Sequence, residues 1–282
     1  MQAYTLNAFS KSSQGGNPAG VILVADNLSD EEMQQIAAKV GLSETAFVSP
    51  SDKANFRVRF FTPVQEVDLC GHATIATFYL MHHLNIIKKG WYTQETNAGI
   101  LRVEVGDRTV TMEQRPPIFY ETIDKATVAK SLNISPNEFM EDLPIQIVST
   151  GLKDIMVPVK SLEAINAIKP DFAEVAAISK MHGAIGYHIF TSETVNGNAA
   201  HCRNLAPLYG IDEEAATGSA SGALAGYLYK YGMVAVPSKV TFEQGYTMKK
   251  PSEIVVELTR KPDGNILVMA GGSTCRIEQI KL

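Results

Sequence analysis

The chain has 282 residues, enough for one large domain or two of moderate size. Hydrophobic residues make up 45% and charged residues 20%, which excludes a disordered chain, and a formal charge of -5 with no Lys/Arg run excludes the electrostatic footprint of a nucleic-acid binder. The three cysteines, Cys70, Cys202 and Cys275, are too few and too irregularly spaced for a disulfide framework, and no apolar run reaches the ~18 residues of a membrane helix, so a cytoplasmic protein with no membrane partner is expected. The N-terminal segment lacks the basic and apolar regions of a signal peptide.

In chain order, AYTLNAF (3–9) alternates like a strand, Asn17-Pro18 reads as a turn, and AGVILVA (19–25) reads as a buried strand. A helix follows: Ser29 and Glu32 fit a capping box, Met33, Ile36, Ala37 and Val40 share a face, and Gly41 supplies the stop. TAFVS (45–49) and RVRFFTP (57–63) are strands, which leaves Glu44 in the short joint between helix and strand. A helix runs from Gly71 through HATIATFYLMHHL, and strand-like runs follow near 91–96 and 100–112. Arg115-Pro116-Pro117 is the clearest linker, because two prolines cannot continue a hydrogen-bonded ladder. Beyond it, GYHIFT (186–191) reads as a strand, SASGALAGYLYKYG (219–232) as a helix, and ILVMAGGSTCRIEQI (266–280) as a hairpin-like end.

A weak internal repeat organises these elements. RFFTP (59–63) and RNLAP (203–207) each lead through a short loop to a glycine, Gly71 or Gly218, that opens an alanine-rich helix. Two such halves related by a pseudo-twofold axis would bring both helix starts, with their unpaired N–H groups, to a common cleft suited to an anion such as a carboxylate.

Three segments could carry chemistry. Glu44 lies between apolar stretches, where a carboxylate partly withdrawn from water suits general acid/base work; it reads equally as a helix-end cap or an ion-pair partner. In DLCGHAT, Cys70 stands at a helix start that favours its thiolate, with His72 in the first turn; the plainer alternative is a small buried thiol beside a capping histidine. In DEEAATGSASG, Ser219 could cap its helix and, with Gly218, cradle an anion. No P-loop, dinucleotide fingerprint or nucleophile elbow is present, and His82-His83 reads as a solvated helix end, so no metal site is expected.

The ordered motifs GNPAGVIL, LSETAFV, RFFTPVQEVDLCGHAT, DEEAATGSASGALAGYL and FEQGYTMKKPSEI resemble those of the phenazine-biosynthesis isomerase (PhzF-like) family over about residues 7–254. The resemblance implies an α+β, diaminopimelate epimerase-like fold: two pseudo-symmetric lobes, each a curved, mostly antiparallel sheet around a central helix. One lobe would span 1–115, completed by the C-terminal strand 272–282, and the other 118–271. It also implies a cofactor-free homodimer acting on a small carboxylate-bearing substrate in the inter-lobe cleft. Glu44 would be the proton-transferring acid/base assisted by His72, and Gly71, Glu214, Gly218 and Ser219 would bind substrate. Two positions depart from the family pattern. Its Asp-Pro is Glu214-Ala215 here, which leaves the substrate open. Of the paired cysteine positions of the related epimerases, the first is Cys70 and the second Thr217, whose hydroxyl is a poor base at neutral pH. The competing readings are an epimerase or dehydratase using Cys70, and a small-molecule-binding protein that has lost catalysis.

Overall fold

The structure, a computed structural model, describes every residue except Met1, Lys11, Ser13 and Leu282. The chain divides into two compact units, residues 1–113 with 271–282, and residues 114–270.

The first unit contains β1 (Gln2–Ala8), β2 (Asn17–Ile22), α1 (Asp30–Val40), β3 (Thr45–Ser49), β4 (Phe56–Phe61), β5 (Glu66–Val67), α2 (Gly71–His83), β6 (Gly90–Thr96), β7 (Gly99–Val105) and β8 (Val110–Gln114). The second unit holds β9 (Ile118–Thr122), α3 (Lys125–Leu132), β10 (Gln146–Ser149), β11 (Lys153–Pro158), α4 (Leu162–Ala167), α5 (Phe172–Met181), β12 (Tyr187–Thr191), β13 (Ala200–Ala206), β14 (Ile211–Glu214), α6 (Gly218–Lys230), β15 (Ser238–Gln244) and β16 (Ser252–Arg260). Strand β17 (Ile266–Gly272) returns the chain to the first unit, where β18 (Thr274–Lys281) lies antiparallel to β1. Among the described residues no helix is long and apolar enough to cross a membrane.

Local chemistry accounts for the boundaries. The α1 capping box forms: Ser29 Oγ accepts from the Glu32 N–H, and the Glu32 carboxylate accepts from the Ser29 N–H. Gly41 ends the helix at φ 69, a left-handed conformation that glycine adopts without steric cost. Asn17 and Pro18 are not a turn but the first residues of β2, opposite Ala8 and Asn7; a proline is tolerated at a strand start. The predicted strand over 100–112 is two strands, β7 and β8, broken around Gly106.

Parallel neighbours need a crossover, and each parallel pair here has a helix between its strands, although a helix does not impose it: β9 and β10 are antiparallel across α3. β2 and β3 are parallel across α1, and β11 and β12 across α4 and α5. The repeat seen in the sequence has a structural counterpart within each unit. In the first, β4 pairs with the returning β5, α2 follows, and β6 lies parallel to β4. In the second, β13 pairs with β14, α6 follows, and β15 lies parallel to β13. The arginine of each repeat clamps its return strand. Arg59 makes two parallel bonds to Glu66 at 2.7 Å, and Arg203 makes two to Glu213 at 2.9 and 3.0 Å.

Both central helices are nearly apolar. Nine residues of α2 and ten of α6 are buried, the former packing on β1, β2, β3, β7 and β18, the latter on β10, β11 and β16. The glycines of α6 have a packing reason: a Cβ at Gly222 would stand 1.9 Å from Gln114 Oε1, and one at Gly226 would stand 2.6 Å from Pro117 Cγ. The opposite face of the second unit's strands packs Ile155, Val157, Tyr187, Ile189 and Leu205 against α3, α4 and α5.

Candidate active site

In the first unit, three elements converge on the ring of His72, the second residue of α2. Cys70 is the residue before the helix, in extended conformation (φ -136, ψ 117), and no side chain caps the helix start. The joint after α1 supplies Ser43 and Glu44, and the start of β2 supplies Asn17. The joint is held in place by the Gly20 N–H, which donates to the Glu44 carbonyl at 3.0 Å.

The ring is 5% exposed and each of its nitrogens has neighbours. The Asn17 amide nitrogen lies 3.4 Å from Nδ1, and Cys70 Sγ 3.3 Å from the same atom. An amide nitrogen can only donate, so Nδ1 accepts and the ring proton sits on Nε2. That Nε2–H faces Ser43 Oγ at 3.4 Å and Glu44 Oε2 at 3.3 Å. The carboxylate oxygen lies close to the ring yet off the hydrogen-bond line, and this buried oxygen makes no hydrogen bond. A desolvated carboxylate oxygen with unused lone pairs, beside a fixed N–H, is poised to take up and return a proton. Gly71 stands between Cys70 and His72. A Cβ there would meet nothing nearer than Met112 Cε at 4.0 Å, so the fold itself does not demand glycine.

The expected residues Glu44, Gly71, His72 and Cys70 are therefore assembled in this unit. Asn17 and Ser43, which hold the ring, carried no assigned role in the sequence reading, although they lie in the GNPAG and LSET motifs. Among the described residues, Glu44, Cys70 and His72 also present one oxygen, one sulfur and one nitrogen, all within 4.8 Å of one another.

In the second unit, Glu214, Thr217, Gly218 and Ser219 cluster at the start of α6. Ser219 is not the helix cap: the cap position is Thr217, and no side chain caps this end either. The Thr217 hydroxyl is occupied elsewhere, donating to Glu214 Oε2 at 2.5 Å. Gln244 ties the turn together, its amide donating to the Glu214 carbonyl (2.7 Å) and to Thr217 Oγ1 (3.1 Å) while accepting from the Thr217 N–H. The Gly218 and Ser219 carbonyls accept from Gln114 and from Thr150 Oγ1.

Strand register places His188, Asn204 and Glu214 side by side on adjacent strands. His188 is fully buried, which pushes its pKa down to about 4 although its Nδ1–H donates to Asn204 Oδ1 at 2.9 Å. On β11, Asp154 is buried with Oδ2 unbonded; burial first, then the nearby Glu214 charge, pushes its pKa up to about 8. The sequence gives no signal for this aspartate, because its burial depends on strands distant in the chain.

Comparison with known proteins adds the lineage. The profile of the family described as "Phenazine biosynthesis-like protein" matches residues 6–278. An "Uncharacterized isomerase" of Bacillus subtilis is 37% identical over 274 residues, covering 94% of this chain and 93% of its own. The trans-2,3-dihydro-3-hydroxyanthranilate isomerase of Pseudomonas chlororaphis is 30% identical over 280 residues, covering 95% and 94%. The crystal structure of a Bacillus anthracis PhzF-family protein superposes with a TM-score of 0.92 at 31% identity, over 100% of this chain and 99% of that one. The expected α+β, diaminopimelate epimerase-like fold is the one found.

Proposed function

The chain belongs to the phenazine biosynthesis-like protein family and is an enzyme of isomerase type, and from that premise we propose that it moves a proton within a small carboxylate-bearing substrate without a cofactor, with Glu44 as the acid/base. The observation that carries this reading is the buried, unbonded Glu44 Oε2 beside His72 Nε2. As a carboxylate, Glu44 takes a proton from one substrate carbon and becomes the neutral acid; it then returns the proton to another carbon, so the bond electrons shift within the substrate and nothing is oxidised. His72, its Nε2 3.3 Å from the carboxylate oxygen though off the hydrogen-bond line, steadies the carboxylate's charge. The uncapped N–H groups at Gly71 and His72 suit the substrate carboxylate and charge developing during transfer. Glu214, Gly218 and Ser219 are assigned to substrate binding by the family resemblance.

The test is an exchange screen. The enzyme is incubated in deuterated buffer with small carboxylates, among them trans-2,3-dihydro-3-hydroxyanthranilate, and proton NMR follows carbon-bound deuterium. Isomerisation with deuterium uptake by the wild type supports the reading; a substrate turned over equally by the Glu44→Gln variant sinks it.

A second reading has one observation in its favour, the 3.3 Å approach of Cys70 Sγ to His72 Nδ1. A Cys–His pair of this kind suits an epimerase or dehydratase in which the thiolate is the base. Full turnover by a Cys70→Ala variant would discard it.

A further inference from the structure

Two chemistries meet at the His72 ring, one at each nitrogen. Glu44 Oε2 lies 3.3 Å from Nε2, and Cys70 Sγ lies 3.3 Å from Nδ1. Both routes to a Cys70 thiolate pass through Nδ1: either this nitrogen takes the thiol proton, or a proton already on it donates to the sulfur. The Asn17 amide nitrogen stands at the same atom, 3.4 Å away. As a donor it engages the Nδ1 lone pair and opposes a second N–H there, so it bears on both routes. Asn17 reaches the ring from a fixed point, being 6% exposed with its backbone paired to Ala8 at the start of β2. The other side of the ring agrees. With its amide turned over, Asn17 would draw the ring proton to Nδ1, and a bare Nε2 would face a carboxylate oxygen at 3.3 Å, two lone pairs toward each other. With the proton on Nε2, that nitrogen has Ser43 Oγ at 3.4 Å and the carboxylate charge beside it.

We propose that Asn17 is a positioning residue that commits the site to carboxylate rather than thiol chemistry: its amide occupies His72 Nδ1, which keeps the ring proton on Nε2 beside Glu44 and leaves Cys70 a thiol. The consequence for proton transfer rests on the acid/base role proposed for Glu44; the tautomer and the state of Cys70 do not. Asn17 carries no charge, so it sets the tautomer without titrating, and it acts through the ring alone.

Nitrogen NMR on protein labelled at its histidines reads the ring directly, with the His72 signals identified by their loss in His72→Gln. Near neutral pH the wild type is expected to show a protonated Nε2 and a bare Nδ1. A bare Nε2, or protons on both nitrogens, overturns the proposal, and this measurement needs no variant of Asn17. Asn17→Leu should populate both tautomers and, with a substrate from the exchange screen, lower kcat for carbon–deuterium exchange roughly 3- to 10-fold, the worth of one hydrogen bond. The same variant should raise the rate at which a small reagent alkylates Cys70 by a similar factor, while Cys202 and Cys275 react as before. An unchanged tautomer or an unchanged Cys70 in Asn17→Leu overturns the proposal. In a His72→Gln background, Asn17→Leu should alter exchange and Cys70 alkylation by no more than about twofold, because the ring through which the amide acts is gone. Effects there as large as in the wild type show a merely structural role and overturn the proposal. Exchange at the wild-type rate in Glu44→Gln overturns the acid/base reading instead, and leaves the NMR result standing.

Discussion

Glu44, half-buried, and Asp154, fully buried, are two carboxyls with different neighbours. Glu44 has an N–H beside it and a partial opening to water; Asp154 has neither a bonded Oδ2 nor exposure beyond 2%. The consequence for Asp154 is a pH-dependent stability. Its pKa is raised to about 8 from an ordinary 3.8, so the folded protein retains a proton that the unfolded chain loses, and stability falls as pH rises between about 4 and about 8. His188 acts in the opposite sense. Lowered to about 4 from 6.5, it costs stability as pH falls through that interval. The two offset each other below about 6.5, and above it the Asp154 slope stands alone. Raising the pH from 6.5 to 8 should therefore cost the second unit about 2 kcal/mol, seen as a drop of roughly 4–8 °C in its thermal midpoint. Asp154→Asn should flatten that slope; a variant with the wild-type pH profile would show that Asp154 is not the group responsible. Glu44 and His72 were legible in the sequence because short motifs carry them. Asn17 was misread as part of a turn, because a following proline marks turns and strand starts alike.

At the scale of elements, α1 was fully legible: its capping box and its terminal glycine are local signals that need no tertiary context. The start of α6 was not. A serine after a glycine resembles a cap, but Thr217 holds the cap position with its hydroxyl drawn to Glu214, and Ser219 lies inside the helix. Glycine weakens a helix interior, and in α6 the close approach of Gln114 to Gly222 and of Pro117 to Gly226 is the packing reason for it. Gln114 is pinned by the Gly218 carbonyl and by Thr150, so it cannot retreat freely from an added methyl group. Gly222→Ala should cost about 1–3 kcal/mol by overpacking, and the double variant with Gln114→Ala should lose less than the sum of the two single changes. Strict additivity in chemical denaturation would show that the contact is not the cause. The two arginine clamps account for the RFFTP and RNLAP repeat, which the sequence displayed without its reason: each fixes the return strand that leads into a central helix.

For the whole molecule, the chain order conceals one long-range dependence. The first unit is completed by residues from the far end of the chain, with β18 paired along β1 from Gln2↔Lys281 to Ala8↔Thr274 and also packed on α2. A chain ending at Gly272 should lose cooperative folding of the first unit, seen as rapid proteolysis within residues 1–113, whereas a protease-resistant first unit would contradict this dependence. Apolar periodicity and turn residues made the element types readable. Burial and strand order depend on partners distant in the chain, β1 and β18 most of all, which no local pattern records.

The central claim is that Glu44 carries the proton. It is tested most directly by comparing wild type and Glu44→Gln in deuterated buffer on one substrate from the carboxylate screen, with circular dichroism confirming that both are folded. The glutamine keeps the shape and removes the titrating oxygen, so carbon–deuterium exchange should fall about 10²–10⁴-fold. Exchange at the wild-type rate would contradict the account and move the chemistry away from Glu44.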